Sequence, residues 1–160
     1  MRVVIQDNYE KMSLWSAHYI AAKIRAHMQA RPFVLGLPTG SSPIGVYKEL
    51  VRMNKAGELS FANVVTFNMD EYLGLPREHD QSYWYFMHDN LFNHLVDMKP
   101  ENINILNGMT DDPEGECARY EERLPPTAAS TSSWAASAWT GTSRSTSRTR
   151  ACLPAPASAT

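Results

Sequence analysis

Cysteine is nearly absent from this 160-residue sequence: Cys117 and Cys152 are the only two. Two cysteines cannot staple a small secreted domain, and this pair lacks the close spacing of a zinc or redox motif, so a reducing cytoplasm is the expected compartment. Long apolar runs are missing too. The opening MRVVIQDNYE has three consecutive apolar residues before polar ones intervene, too few for the core of a signal peptide or a membrane span, so a soluble protein without a membrane partner is expected. Positive charge is not in excess: 15 Lys and Arg stand against 17 Asp and Glu, for a net charge of −2. No sequence-wide basic surface for nucleic acid follows from that balance. The sharpest absence is local. From Pro125 to Thr160 there is no Asp, Glu, Lys, His, Val, Ile, Phe, Tyr or Met, and 28 of the 36 residues are Ala, Ser, Thr or Pro. Such a stretch has little to offset its ordering entropy and is expected to be a disordered, low-complexity tail.

Up to about Leu124 the composition is that of a folded domain, and 43% hydrophobic residues overall suffice for one modest core. Val3–Gln6 reads as a short strand. Asp7 followed by Glu10 resembles a capping box that opens a helix, with Trp15, Tyr19, Ala22 and Ile24 as its buried stripe. Phe33–Leu37 is a buried strand closed by Pro38, Thr39 and Gly40, and Ile44–Lys55 is helical until Gly57. Val64–Asn68 is the next strand, Ser82–Leu95 an aromatic-rich helix and Ile103–Leu106 a further strand. Asp112 and Pro113 then open a helix that runs through Arg123. Strands alternating with helices predict an α/β, Rossmann-like parallel sheet with flanking helices.

Two segments of this pattern carry chemistry. In LGLPTGSSPIGVYKEL, Thr39, Gly40, Ser41 and Ser42 lie between a strand and a helix start, where free backbone amides and hydroxyls favour an anion such as phosphate. The simpler reading of the same residues is that Ser41 or Ser42 caps the helix and Pro43 fills its first turn. A nucleotide-binding P-loop is excluded, because no Gly-Lys-Ser/Thr follows. In VVTFNMDEYLGLP, Asp70 and Glu71 follow the C-terminal end of a strand, the edge at which open α/β sheets bind ligands. An Asp there is often only a turn or helix cap. Beside a phosphate-holding loop, however, a carboxylate is suited to taking and returning a proton on a sugar phosphate.

His79, His88 and His94 are spaced by 9 and 6 residues, which does not match the i, i+4 pair of a helical metal site. Packing or surface histidines are the better reading, and no metal is expected. Tyr83, Trp84, Tyr85 and Phe86 read as helix packing, with Tyr83 within reach of a neighbouring site.

Taken together, RPFVLGLPTGSSPIGVYKEL, LSFANVVTFNMDEYLGLPREHDQSYWYFM and ENINILNG closely resemble the glucosamine-6-phosphate deaminase family from about Arg2 to Arg123. The resemblance implies conversion of glucosamine 6-phosphate and water to fructose 6-phosphate and ammonia, without a cofactor, in cytosolic amino-sugar breakdown. It implies that Asp70 is the base that takes the C2 proton and returns it at C1, and that Thr39, Gly40, Ser41 and Ser42 contact the substrate phosphate. A homo-oligomer like those of the family is a further implication, weakened where half the fold is missing. Two alternatives stay open. One is a non-catalytic sugar-phosphate-binding or regulatory subunit, and the other a related sugar-phosphate isomerase or lactonase.

The family's ring-opening Asp, His and Glu belong to a motif like GGIGxDGHIAFNEP that is expected after Arg123 and does not occur in this chain. Shifting the reading frame back by one nucleotide restores it. Trp has a single codon, so the triplet spanning Trp139 and Thr140 is forced to be GAC, for Asp. The triplet spanning Trp134 and Ala135 is likewise forced to be GGC, for Gly. With permitted third bases elsewhere, STSSWAASAWTGTSRSTSR from Ser130 to Arg148 back-reads as IDLFLGGIGVDGHIAFNEP. Residues 1–124 are therefore expected to form a partial α/β domain, followed by 125–160 read after a frame change near Arg123 or Leu124.

Overall fold

The computed structural model describes residues 3–27 and 31–124, and the backbone of 152–154. Its centre is a parallel three-stranded sheet in the order β1 (Phe33–Leu37), β2 (Val64–Asn68), β4 (Ile103–Asn104). Helix α2 (Ile44–Lys55) makes the crossover from β1 to β2. The two strands pair from Phe33 opposite Val64 to Leu37 opposite Asn68. Side chains alternate across the sheet. Phe33, Leu35, Leu37 and Val64 join the main core with α1 (Tyr9–His27), α2 and α3 (Tyr83–Asn90). Val34 and Phe67 face the other way, onto Leu106 and Tyr120 of α4 (Pro113–Arg123). Helices cover both faces, as a parallel sheet requires.

Strands β1 and β2 and helices α2 and α4 occupy their expected spans, and Asp112 caps α4 by accepting from the Gly115 amide at 2.9 Å. Elsewhere tertiary context overrides the local pattern. Val3–Gln6 is not a strand. It has no ladder partner among the described residues, and Val3 and Ile5 are 68% and 87% exposed; a β-branched run without a neighbour to pack against has only propensity to hold it. Asn8 rather than Asp7 caps α1, its Oδ1 accepting from the Lys11 amide at 2.9 Å, while Asp7 pairs with the Lys11 ammonium at 2.6 Å. The buried face of α1 is Ser13, Ala17, Ala21 and Ile24. Trp15 and Tyr19 instead stack on each other with ring centroids 5.2 Å apart, while at the α1–α2 seam Ser13 lies so close to Gly45 that a Cβ on Gly45 would sit 2.4 Å from the Ser13 hydroxyl.

The aromatic helix ends early, at Asn90, whose side-chain amide takes the Phe86 carbonyl at 2.8 Å and so competes with the helical ladder. Leu91 leaves the helical region, and Phe92–His94 add one 3₁₀ turn. Strand β4 stops at Asn104 rather than Leu106; its ladder ends with Asn104 opposite Phe67, one residue before the end of β2. The Tyr120 hydroxyl lies 2.8 Å from both the Asn68 and the Asn104 carbonyl oxygens and closes the two strand ends.

The expectation of a tail without regular structure is corrected at one place. Cys152–Pro154 forms β5, parallel to β3 (Glu71–Leu73), with Glu71 opposite Cys152. Strand pairing uses backbone groups and so does not need the apolar side chains that the tail lacks. The rest of 125–160 lies outside the described residues.

Candidate functional site

Because β1 and β2 are parallel and in register to their last residues, the segments that leave them emerge side by side at the carboxyl edge of the sheet. The buried Asn68 side chain holds the two ends together, its Nδ2 donating to the Leu37 carbonyl at 3.1 Å. From β1 the chain enters the loop of Thr39, Gly40, Ser41 and Ser42. Gly40 has φ +96°, a left-handed conformation that costs a residue with a Cβ strain. The start of this loop is anchored from below by Tyr47, whose buried hydroxyl donates to the Pro38 carbonyl; burial raises the proton affinity of that phenolate. Thr39 is half-buried, and Gly40, Ser41 and Ser42 are exposed. Neither serine caps α2. Pro43 occupies the capping position without a side-chain bond, and the amide of Gly45 donates instead to the hydroxyl of Tyr9 at 2.9 Å.

From β2 the chain passes through Met69 to the two adjacent carboxylates, which part company. Glu71 is 3% exposed. Its Oε1 accepts from the amides of Tyr72 and Tyr83 and its Oε2 from that of Trp84, each at 2.9 Å. It therefore satisfies the free amides at the start of α3, where the helix dipole also favours negative charge. Ser82 completes this cap by accepting from the Tyr85 amide at 3.0 Å. Asp70 is half-buried at the sheet edge, and its carboxyl is held above the ordinary carboxylate range, first by burial and then by the neighbouring negative charge of Glu71. A desolvated carboxylate beside a like charge binds its proton more tightly.

The Tyr83 phenol is pushed up, first by burial and then by the neighbouring Tyr72, and it lies in the field of Asp70. Its ring sits 4.8 Å from that of Tyr72. Tyr83, at the first turn of α3, thus faces the site, while Phe86 and Met87 pack into the core. Glu71 as a cap was not legible from spacing alone, because α3 must first fold back onto β3. Its signal was the need of a helix that starts at Tyr83 for an anion near its amides.

The three histidines are used separately. His79 lies 3.2 Å from Asp80, His88 stacks on Trp84 at 3.7 Å, and His94 lies 2.8 Å from the Asp89 carbonyl. Among the described residues no three His, Cys, Asp or Glu side chains gather as a metal site. No described helix is long and apolar enough to cross a membrane. What this edge offers is a proton-accepting carboxylate, a phenol and a hydroxyl-rich loop with free amides. That set can hold an anion and move a proton near it.

Comparison with known proteins narrows the chemistry. The glucosamine-6-phosphate deaminases of Parabacteroides distasonis and Aliivibrio fischeri are 59% and 54% identical to this chain over 126 residues. Those residues make up 78% of this chain and 46% and 47% of the two relatives. The chain thus spans about half the length of the curated relatives it matches. A solved monomeric glucosamine-6-phosphate deaminase superposes with a TM-score of 0.71 and 41% identity, covering 78% of this chain and 50% of that one. The 6-phosphogluconolactonase of Leishmania guyanensis shares the fold, with a TM-score of 0.58 and 23% identity over 76% of this chain and 49% of that one. Residues 7–139 match the family described as glucosamine-6-phosphate isomerases/6-phosphogluconolactonase, and the chain belongs to that family.

Proposed function

We propose that this chain carries the substrate-phosphate loop and the proton-transferring carboxylate of an amino-sugar-phosphate isomerase and deaminase. The whole reaction is glucosamine 6-phosphate and water to fructose 6-phosphate and ammonia, placed in cytoplasmic amino-sugar breakdown. The observation that carries this reading is Asp70, a half-buried carboxylate with raised proton affinity, at the same carboxyl edge of the sheet as the Thr39–Ser42 loop, where the adjacent parallel strands β1 and β2 end. Glucosamine-6-phosphate deaminase is also the name borne by relatives at 54–60% identity.

In this mechanism the loop of Thr39, Gly40, Ser41 and Ser42 holds the 6-phosphate through hydroxyls and amides and so fixes the far end of the sugar. Asp70 takes the proton from C2 of the open-chain substrate and returns it to C1, and its raised proton affinity suits a group that must both accept and give back a proton. The Tyr83 phenol lies in the field of that carboxylate. No cofactor is needed, because the aldehyde at C1 of the open chain already acidifies the C2 proton. A closed pyranose lacks that group, and the segment 125–160 has no Asp, Glu or His to open it.

The test is ammonia release from glucosamine 6-phosphate, with deuterium uptake at the transferred position as a second readout. The 160-residue chain is expected to release none. A version with the frame restored after Arg123 is expected to be active, and Asp70→Asn in that version is expected to lose C2 exchange, since an amide is no base. Near-normal turnover by restored Asp70→Asn would remove Asp70 from its role. Turnover by the 160-residue chain would show that ring opening does not need the missing motif.

A further inference from the structure

We propose that Tyr9 is a positioning residue for the phosphate loop: from α1 it caps α2 and sets the direction of a loop amide. The proposal rests on the phosphate-holding role given above to Thr39–Ser42. The capping position before α2 is held by Pro43, which has neither an N–H nor a capping side chain, so the Gly45 amide lacks the local acceptor that a Ser or Asp would supply. The Tyr9 hydroxyl takes that place, 2.9 Å from the Gly45 nitrogen, and its own proton points at the carbonyl oxygens of Ser42 at 3.0 Å and Ser41 at 3.2 Å. One phenol thus ties the last two loop residues and the first turn of the helix to a different element.

The peptide plane gives this bond a consequence for binding. The Ser41 carbonyl and the Ser42 N–H belong to one trans peptide and point in opposite directions. Drawing the Ser41 oxygen toward α1 therefore aims the Ser42 amide away from α1, to the open side of the loop where an anion arrives. Capping Gly45 at the same time removes a competing amide on the α1 side. The close approach is built in: a Cβ on Gly45 would lie 2.4 Å from the Ser13 hydroxyl and 3.1 Å from the Tyr9 ring. Tyr9 is nevertheless half exposed, so its hydroxyl serves the loop and not the core.

The experiment is a titration of the full chain with inorganic phosphate, read from the amide resonances of Gly40, Ser41 and Ser42, for the unmutated protein, Tyr9→Phe and Tyr19→Phe. Tyr19 lies on the same helix but stacks on Trp15, away from the loop. Tyr9→Phe is expected to weaken phosphate about three- to tenfold, the range that one net hydrogen bond supplies, with a fall in melting temperature no larger than the loss of one helix cap gives. Tyr19→Phe is expected to bind as the unmutated chain does. Equal phosphate affinity in Tyr9→Phe overturns the role of Tyr9 and leaves the loop reading intact. An equal loss in Tyr19→Phe also overturns it, since that result marks general loosening of α1. No response of these amides in the unmutated chain at tens of millimolar phosphate overturns the loop reading and, with it, this proposal.

Discussion

Successive side chains of an extended segment leave the backbone in opposite directions, and Asp70 and Glu71 separate accordingly. Glu71 is consumed by three amides, whereas Asp70 keeps a partly desolvated carboxylate with no such compensation. Asp70 therefore opposes folding at neutral pH. Its proton is held more tightly in the native state than in the unfolded one, so stability falls as pH rises through the window between the ordinary Asp value and the raised one. Asp70→Asn removes that cost. It is expected to melt above the unmutated chain near pH 7, with the gap closing as pH is lowered toward about 4. A melting temperature lowered by Asp70→Asn at neutral pH would mean that the carboxylate is structural. Glu71→Gln is expected to act in the opposite sense, because an amide nitrogen would face an N–H at one of the three bonds. A loss of about 1–3 kcal/mol in denaturant unfolding is the expected scale for an unsatisfied buried group. Asp70 could be picked out from the sequence as a strand-end carboxylate. The separate fate of Glu71 could not, since it depends on where α3 begins relative to β3.

At the scale of elements, legibility followed how local the determinant was. Strands β1 and β2 and helices α2 and α4 are bounded by Pro, Gly and Asp signals next to apolar runs, and those boundaries hold. The buried stripe of α1 is set by what packs against it and the early end of α3 by the Asn90 side chain that bonds the Phe86 carbonyl, and there the pattern misled. A second determinant invisible in the sequence is the hub that joins the end of α2 to the turn after the 3₁₀ segment. Asn54 donates to Asp97 at 2.7 Å and accepts from the Val96 amide at 2.8 Å, and Asp97 also accepts from the Ser60 hydroxyl at 2.6 Å and the Phe61 amide at 3.1 Å. Burial would raise the Asp97 carboxyl, but these donors outweigh it and the net shift is downward. Its contribution to stability is thus present above the ordinary Asp value and is lost as pH falls through the lowered one. Asp97→Ala leaves three donors without their acceptor at the entry to β2. It is expected to cost about 1–3 kcal/mol in urea unfolding, well beyond a typical surface substitution. A change within about 0.5 kcal/mol would mean that water replaces the carboxylate freely.

For the whole molecule, the parallel sheet with helices on both faces was readable from the alternation of elements, because a βαβ crossover has few alternatives. The β3–β5 pairing was not. Its tail strand, Cys152–Pro154, sits in sequence that is poor in strand formers, and it meets β3 through backbone groups. The size of that contribution decides what the tail is to the fold. Among the described residues three of the tail pair, and Pro154 has no N–H to give, so this ladder adds at most a few edge hydrogen bonds worth about 0.5–1.5 kcal/mol each. Among the described residues, both hydrophobic clusters are built before Pro125. Deleting 125–160 is therefore expected to lower the urea midpoint slightly, to leave the denaturant slope nearly unchanged, and to speed hydrogen exchange at Glu71–Leu73 while the amides of β1 and β2 stay protected. If the deletion instead abolishes cooperative unfolding, the tail is a working part of the core, and reading 125–160 as an out-of-frame appendage fails with it.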